Sequence, residues 1–296
     1  MSTSSPFGRV LTAMVSPMKA DGSLDLEGTR RLVAHLLDHG HDGIVVNGTT
    51  GEAATLSDDE SIEMVRVVAE AVDGAAAVVA GVGSNATAHS VEMAARAVDA
   101  GATGLLLVSP YYNKPTQPGL VAHCLAVADS TDLPVMLYDI PGRTGIPFDT
   151  ATLVELAAHD RIVAVKDAKG DPWASTHVLA ETDLLYFSGD DATTLPWLAL
   201  GAVGTVSVVG HVAGKEYAAM VAAVDRGDLA TARDIHRRLV PAVDAIMSTS
   251  QGAIMAKAAL VELGVIDHAT VRLPLVESPP EHLDILRAGL KESGLL

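Results

Sequence analysis

The stretch Ile162-Val163-Ala164-Val165-Lys166-Asp167 decides how this chain is read. Four consecutive apolar residues, three of them β-branched, have the composition of a strand covered on both faces, as in a parallel sheet. The next position carries an ammonium. Of the seven lysines in the sequence, Lys166 alone falls within a predicted strand. Desolvation lowers the pKa of a lysine, and the neutral amine is the form that attacks a carbonyl. Lys166 is therefore a candidate nucleophile. The competing reading is an ion pair with Asp167 or another buried carboxylate.

Seven further runs share this character, each bounded by Gly, Pro or Asn: Val10 to Ser16, Gly43 to Asn47, Ala77 to Val82, Gly104 to Ser109, Pro134 to Asp139, Leu184 to Ser188 and Thr205 to Val209. Helical periodicity fills the intervals. It is clearest over Leu26 to Asp38, over Ser57 to Val72, where Glu60 follows Ser57 at capping-box spacing, and over Ala88 to Asp99. Eight strand–helix units are the number at which a parallel sheet closes on itself, whereas a doubly wound open sheet has no reason to stop there. The predicted fold class is α/β, a (β/α)8 TIM barrel over residues 1–228. A C-terminal helical extension is expected over residues 229–296, read as purely helical and packed on the barrel.

The composition limits the functions available. A formal net charge of −17 with no Lys/Arg cluster repels phosphate backbones and excludes nucleic acid as a partner. The single cysteine, Cys124, lies in an apolar helical pattern and reads as a buried thiol, so no intramolecular disulfide is available. The first residues lack the basic and apolar regions of a secretion signal, and no uncharged apolar run reaches the ~18 residues that span a bilayer. The expected location is the cytoplasm, with no membrane partner.

In a barrel of this kind the reactive groups stand at the carboxyl ends of the strands. Those ends run into Asn47-Gly48-Thr49-Thr50-Gly51-Glu52, Ser109-Pro110-Tyr111-Tyr112-Asn113-Lys114-Pro115, Tyr138-Asp139-Ile140-Pro141-Gly142-Arg143-Thr144-Gly145 and Ser188-Gly189-Asp190-Asp191. Tyr138 ends the strand next to that of Lys166, and its phenol together with Thr49 and Tyr112 forms a candidate proton relay. The rigid fork of Arg143 suits a substrate carboxylate. Gly81-Val82-Gly83-Ser84-Asn85-Ala86 has the spacing of a dinucleotide fingerprint, but the following strand ends in Ser109-Pro110 with no acidic residue for a ribose, so no nicotinamide cofactor is expected. The histidines, among them His35, His39, His41, His123, His211 and His236, read as scattered, with no paired metal-ligand spacing, and no metal is expected.

Taken in order, Gly48-Thr49-Thr50-Gly51-Glu52, Tyr111-Tyr112-Asn113-Lys114-Pro115, Tyr138-Asp139-Ile140-Pro141-Gly142-Arg143-Thr144-Gly145 and Lys166-Asp167-Ala168 resemble the dihydrodipicolinate synthase family, also called 4-hydroxy-tetrahydrodipicolinate synthases. The likeness runs from about Gly8 to Gly210 and more loosely through the tail. It implies a lyase of lysine and diaminopimelate biosynthesis that condenses pyruvate with aspartate 4-semialdehyde and needs no cofactor. By the same resemblance Lys166 forms the imine and Tyr138 donates and accepts protons. Thr49 and Tyr112 complete the relay, with Tyr112 reaching into a neighbouring subunit of a homotetramer. Thr50 and the backbone at Val206 hold the pyruvate carboxylate, and Arg143 receives the carboxylate of the semialdehyde. Related N-acetylneuraminate lyases and 2-keto-3-deoxy sugar-acid aldolases share the lysine and tyrosine. Those relatives generally lack the arginine and often carry Ser at one of the two threonines. Members of the family inhibited by lysine place His early in the second helix and Glu in the third. Asp58, Ser61 and His89 stand there in this chain, so feedback by lysine is expected to be weak or absent.

Overall fold

Parallel strands pair in sequence order and the last pairs back to the first: β1 (Val10–Ala13), β2 (Gly43–Val46), β3 (Ala77–Gly81), β4 (Gly104–Val108), β5 (Val135–Asp139), β6 (Ile162–Asp167), β7 (Leu185–Ser188) and β8 (Gly204–Ser207). The computed structural model describes residues 5–296. Around the barrel run α1 (Leu26–Asp38), α2 (Asp58–Val72), α3 (Thr87–Asp99), α4 (Gln117–Ala128), the single turn α5 (Pro141–Thr144), α6 (Thr150–Leu156), α7 (Pro172–Glu181), α8 (Thr194–Leu200) and α9 (Gly210–Asp225). Then come α10 (Leu229–Val243), a π-helical turn over Asp244–Ser248, α11 (Gly252–Glu262) and α12 (Pro280–Glu292). The predicted TIM barrel is the observed fold.

Several predicted strands are shorter than the apolar runs that marked them, because burial outlasts the hydrogen-bond ladder. After β1, Met14 still donates to the Val45 carbonyl, but the Val15 N–H turns to the His211 ring at 3.0 Å and the Ser16 hydroxyl to the Gly51 carbonyl at 2.7 Å. After β8, the N–H groups of Val208 and Val209 go to the Asp191 carboxylate instead of a neighbouring strand. Helix α2 starts as its sequence requires, with Ser57 as N-cap and the reciprocal Glu60 bond in place. The expected C-terminal helical extension is present as α10, α11 and α12, interrupted by one long non-helical stretch. Residues 263–279 form an irregular segment between α11 and α12, and its backbone groups are bound in part by side chains, Lys257 of α11 at the Thr270 carbonyl and Glu52 of the barrel at the Arg272 N–H.

Alternation along the strands sends one set of side chains into the barrel and the other against the helices. The inner set includes Leu11, Val45, Val79, Leu106, Met136, Ala164, Phe187 and Val206. Phe7 fills the barrel at the amino ends of the strands, edge-on to Phe187 with ring centroids 6.4 Å apart. Gly104 makes room for it, since a Cβ there would lie 2.7 Å from the Phe7 ring. The foot is thus plugged by aromatic packing, and the polar strand ends are left at the opposite mouth. The single cysteine is buried in α4, and burial pushes its thiol up to about 12, as an unreactive core residue requires.

Candidate active site

Lys166 and Tyr138 are direct partners in the β5–β6 register, and their side chains share the interior face. Lys166 is 4% exposed and Tyr138 5%. The Lys166 Nζ stands over the Tyr138 ring, 4.1 Å from its centroid. Asp167, one residue on, faces the other way. Its carboxylate accepts from the Ser175 hydroxyl at 2.8 Å and from the N–H groups of Lys169 and Gly170 at 2.9 and 3.1 Å. Strand geometry therefore disposes of the expected competitor, since adjacent residues cannot share a face. Among the described residues no carboxylate pairs with Lys166.

Desolvation pulls Lys166 down to about 8; the charge of Asp191 opposes the shift and that of Arg143 adds to it. At pH 7 about one-tenth of such a lysine is neutral, against roughly one part in 2,500 for an ordinary lysine. Burial pushes the Tyr138 phenol up to about 12, with Arg143 and the Thr49 hydroxyl pulling the other way. It remains a protonated donor at neutral pH. A tight turn follows β5: Arg143 sits in α5, which Gly145 closes at φ +81°, a conformation costly for any residue with a Cβ.

A cleft of about 410 Å3 opens at this mouth, with Thr49, Tyr138, Ile140 and Arg143 among its walls. Thr49 is exposed at the rim and Thr50 is buried behind it. Val206 lies in the barrel interior, paired with Leu11. Tyr112 is the outlier. It is 90% exposed, holds φ at +73° and contributes nothing to the cleft of its own chain. Asp58, Ser61 and His89 stand along the same cleft, with His89 Nε2 and Asp58 Oδ1 3.1 Å apart.

Two residues of the site carry no role that the sequence alone suggests. A Cβ on Gly189 would sit 2.9 Å from Cγ and 3.0 Å from Cε of Lys166, so glycine leaves the channel through which the lysine extends. Asp191 is wholly buried and fixed by Ser207 and by the N–H groups of Val208 and Val209 at 3.0 and 3.3 Å. Both lie in the polar stretch that ends β7, but their geometry depends on contacts between β6, β7 and β8.

The apparent dinucleotide motif has a packing explanation. A Cβ on Gly81 would fall 2.3 Å from the Asn47 carbonyl oxygen, and one on Gly83 2.5 Å from the Val108 nitrogen, so the glycines admit their neighbouring strands. Four of the histidines are not scattered, which corrects the sequence reading. His35 and His39 stack at 4.0 Å, His35 Nε2 meets the His211 carbonyl at 2.9 Å and His41 Nε2 meets the Thr12 hydroxyl at 2.6 Å. The Val15 N–H donates to His211 Nε2, so His211 Nδ1 carries the proton that goes to the Val208 carbonyl at 2.7 Å. His41 and His211 spend both ring nitrogens on such bonds.

Comparisons with known proteins identify the family. Residues 6–293 match the Dihydrodipicolinate synthetase family. A 4-hydroxy-tetrahydrodipicolinate synthase of Kineococcus radiotolerans is 58% identical over 98% of this chain and 94% of its own length. One from Acidothermus cellulolyticus is 56% identical over 98% and 93%. A crystal structure of the enzyme from Cyanidioschyzon merolae with lysine bound superposes with a TM-score of 0.96 at 42% identity, covering 99% of this chain and all of that one. Matched over nearly its whole length in sequence and in fold, the chain belongs to the dihydrodipicolinate synthetase family.

Proposed function

We propose that this chain condenses pyruvate with L-aspartate 4-semialdehyde through a Schiff base on Lys166, giving 4-hydroxy-tetrahydrodipicolinate for lysine and diaminopimelate biosynthesis. The observation that carries the reading is the register pairing of Lys166 with Tyr138 inside a closed barrel, with the amine held near neutrality. The neutral amine adds to the pyruvate carbonyl and one water leaves, forming the protonated imine. That imine withdraws electrons, so the pyruvate methyl group gives up a proton, carried to solvent through the Tyr138–Thr49 relay, and becomes an enamine carbon. The enamine attacks the aldehyde, and the alkoxide formed takes a proton from Tyr138. The substrate's own amine then displaces Lys166 from the imine carbon, closing the ring and freeing the enzyme.

Thr49, beside the phenol, passes protons between Tyr138 and solvent, and Tyr112 is the third hydroxyl of the relay, supplied by a neighbouring subunit. Its near-complete exposure and positive φ fit a side chain that finds its surroundings in another copy. Thr50 and the Val206 backbone hold the pyruvate carboxylate, and Arg143, on the cleft wall, takes that of the semialdehyde. All chemistry runs through these side chains, with no cofactor or metal in the scheme. A homotetramer fits the apolar surface: Tyr111 and Tyr112 lie exposed at the mouth, and Trp173 (73%) and Leu200 (43%) on α7 and α8 of the outer ring. Light scattering on purified protein tests this. Residues 1–228 carry the reacting groups, residues 229–296 form the appended unit, and the cytoplasm is the compartment in which we place it.

Turnover with pyruvate and aspartate semialdehyde, compared with cleavage of 2-keto-3-deoxy sugar acids and N-acetylneuraminate, tests the substrate assignment. Preference for the semialdehyde is expected, and preference for a sugar acid would overturn it.

A further inference from the structure

The second buried lysine, Lys257 on α11, is fully enclosed, and the mechanism above does not use it. Its Nζ donates to Oε1 of Glu52 and, at 2.7 Å, to the carbonyl of Thr270. The other oxygen of Glu52 accepts the backbone N–H of Arg272 at 2.9 Å. Glu52 is itself buried and takes φ +57°, so a left-handed residue closes the Gly48-Thr49-Thr50-Gly51-Glu52 turn. Such a conformation persists where its surroundings over-determine it. The Arg272 guanidinium grips the chain beyond: it donates to the Gly22 and Thr55 carbonyls at 3.0 and 2.8 Å and forks onto Glu60, the residue that closes the cap of α2. On the opposite side the Ser16 hydroxyl holds the Gly51 carbonyl at 2.7 Å. The tail also reaches the cleft directly, through Gln251, Pro274 and Leu275.

We infer that Lys257, Glu52 and Arg272 are positioning residues through which the C-terminal extension sets the Thr49-Thr50 turn. They touch no reacting atom, and they hold the turn that grips the first substrate. The inference rests on the assignment of pyruvate to Thr50 and Lys166. Removing the ion pair loosens that turn and leaves Arg143, on a separate loop, in place. Pyruvate binding is therefore expected to suffer while binding of the second substrate does not.

The test compares wild type with K257M, with the double variant E52Q/K257M, which leaves no buried charge unpaired, and with R272Q, altered at a partly exposed side chain. Each is checked for folding by circular dichroism. KM is measured for both substrates, and the rate of borohydride-trapped labelling by pyruvate is followed by intact mass. In the double variant the KM for pyruvate should rise about tenfold and the labelling rate at low pyruvate fall to match, with kcat falling as well because Thr49 of the same turn serves the relay, and with the KM for aspartate semialdehyde within about twofold of wild type. R272Q should move the same way by about threefold. An unchanged pyruvate KM in any folded variant overturns the inference, as does a uniform fall in kcat with both KM values altered together, which marks a general structural role. Wild type that takes no pyruvate label defeats the catalytic assignment and this inference with it. Wild type that labels beside variants that label equally well defeats the inference alone.

Discussion

Lys166 at the end of β6 and Lys257 in the middle of α11 are both withdrawn from water, and burial pulls both down in pKa, yet their surroundings differ in one respect. Lys257 has a carboxylate and a carbonyl within bonding distance, so its charge is matched and its amine is occupied. Lys166 has an aromatic face and a more distant carboxylate, Asp191, so its charge is unmatched and its amine is free. Burial alone does not make a nucleophile. What matters is whether the fold supplies a partner for the charge it buries.

Replacing each lysine by methionine is the harshest way to break this comparison. K166M is expected to lose at least about 10^3-fold in turnover while melting close to wild type, because it removes a nucleophile that had no ion pair. K257M strands Glu52 and should lose ~3–5 kcal/mol of stability in chemical denaturation. Equal stability losses in the two variants would erase the distinction. Next in size, Y138F should reduce turnover by about 10^2-fold with its folded structure intact, as expected for loss of a positioned proton donor.

The pH dependence sharpens the contrast. Only unprotonated Lys166 attacks, so kcat/KM for pyruvate should climb almost tenfold per pH unit at low pH and level off above pH about 8. A climb that continues toward pH 10 would mean an ordinary lysine. His41 and His211 supply a buried control that is satisfied in its neutral form. Burial holds His41 down to about 4 and His211 down to about 3, below the ordinary value of about 6.5 that applies to the unfolded chain. The unfolded chain therefore binds more protons as pH falls through 6.5, and each of these histidines should cost the fold ~2 kcal/mol between pH 7 and 5. Denaturation curves across that range check this, and a flat profile would contradict it. The smallest effect concerns feedback. With Asp58, Ser61 and His89 in the cleft, millimolar lysine should change activity less than twofold, and strong inhibition would refute the expectation.

The two lysines also mark how far the sequence alone is legible. Apolar runs and their spacing reveal the eight strands, and the register of two of those runs suffices to bring Tyr138 beside Lys166. Strand ends are less legible, because Val15, Ser16, Val208 and Val209 are apolar or buried without being paired to a strand. Gly189 and Asp191 stand in a conspicuous polar stretch, but their roles arise from close approaches that spacing does not encode. Lys257 offers the very signal used for Lys166, one charge in the otherwise apolar run Gly252 to Leu260. Its partner lies 205 residues away, and no local pattern points to Glu52.

The central claim is that Lys166 is the buried lysine that reacts. Incubating the protein with pyruvate and borohydride, then locating the added mass by peptide mapping, tests it most directly. The account predicts one reduced pyruvate adduct per chain, on the peptide containing Lys166, and none on that containing Lys257. An unmodified chain, or an adduct on any other lysine, would contradict it.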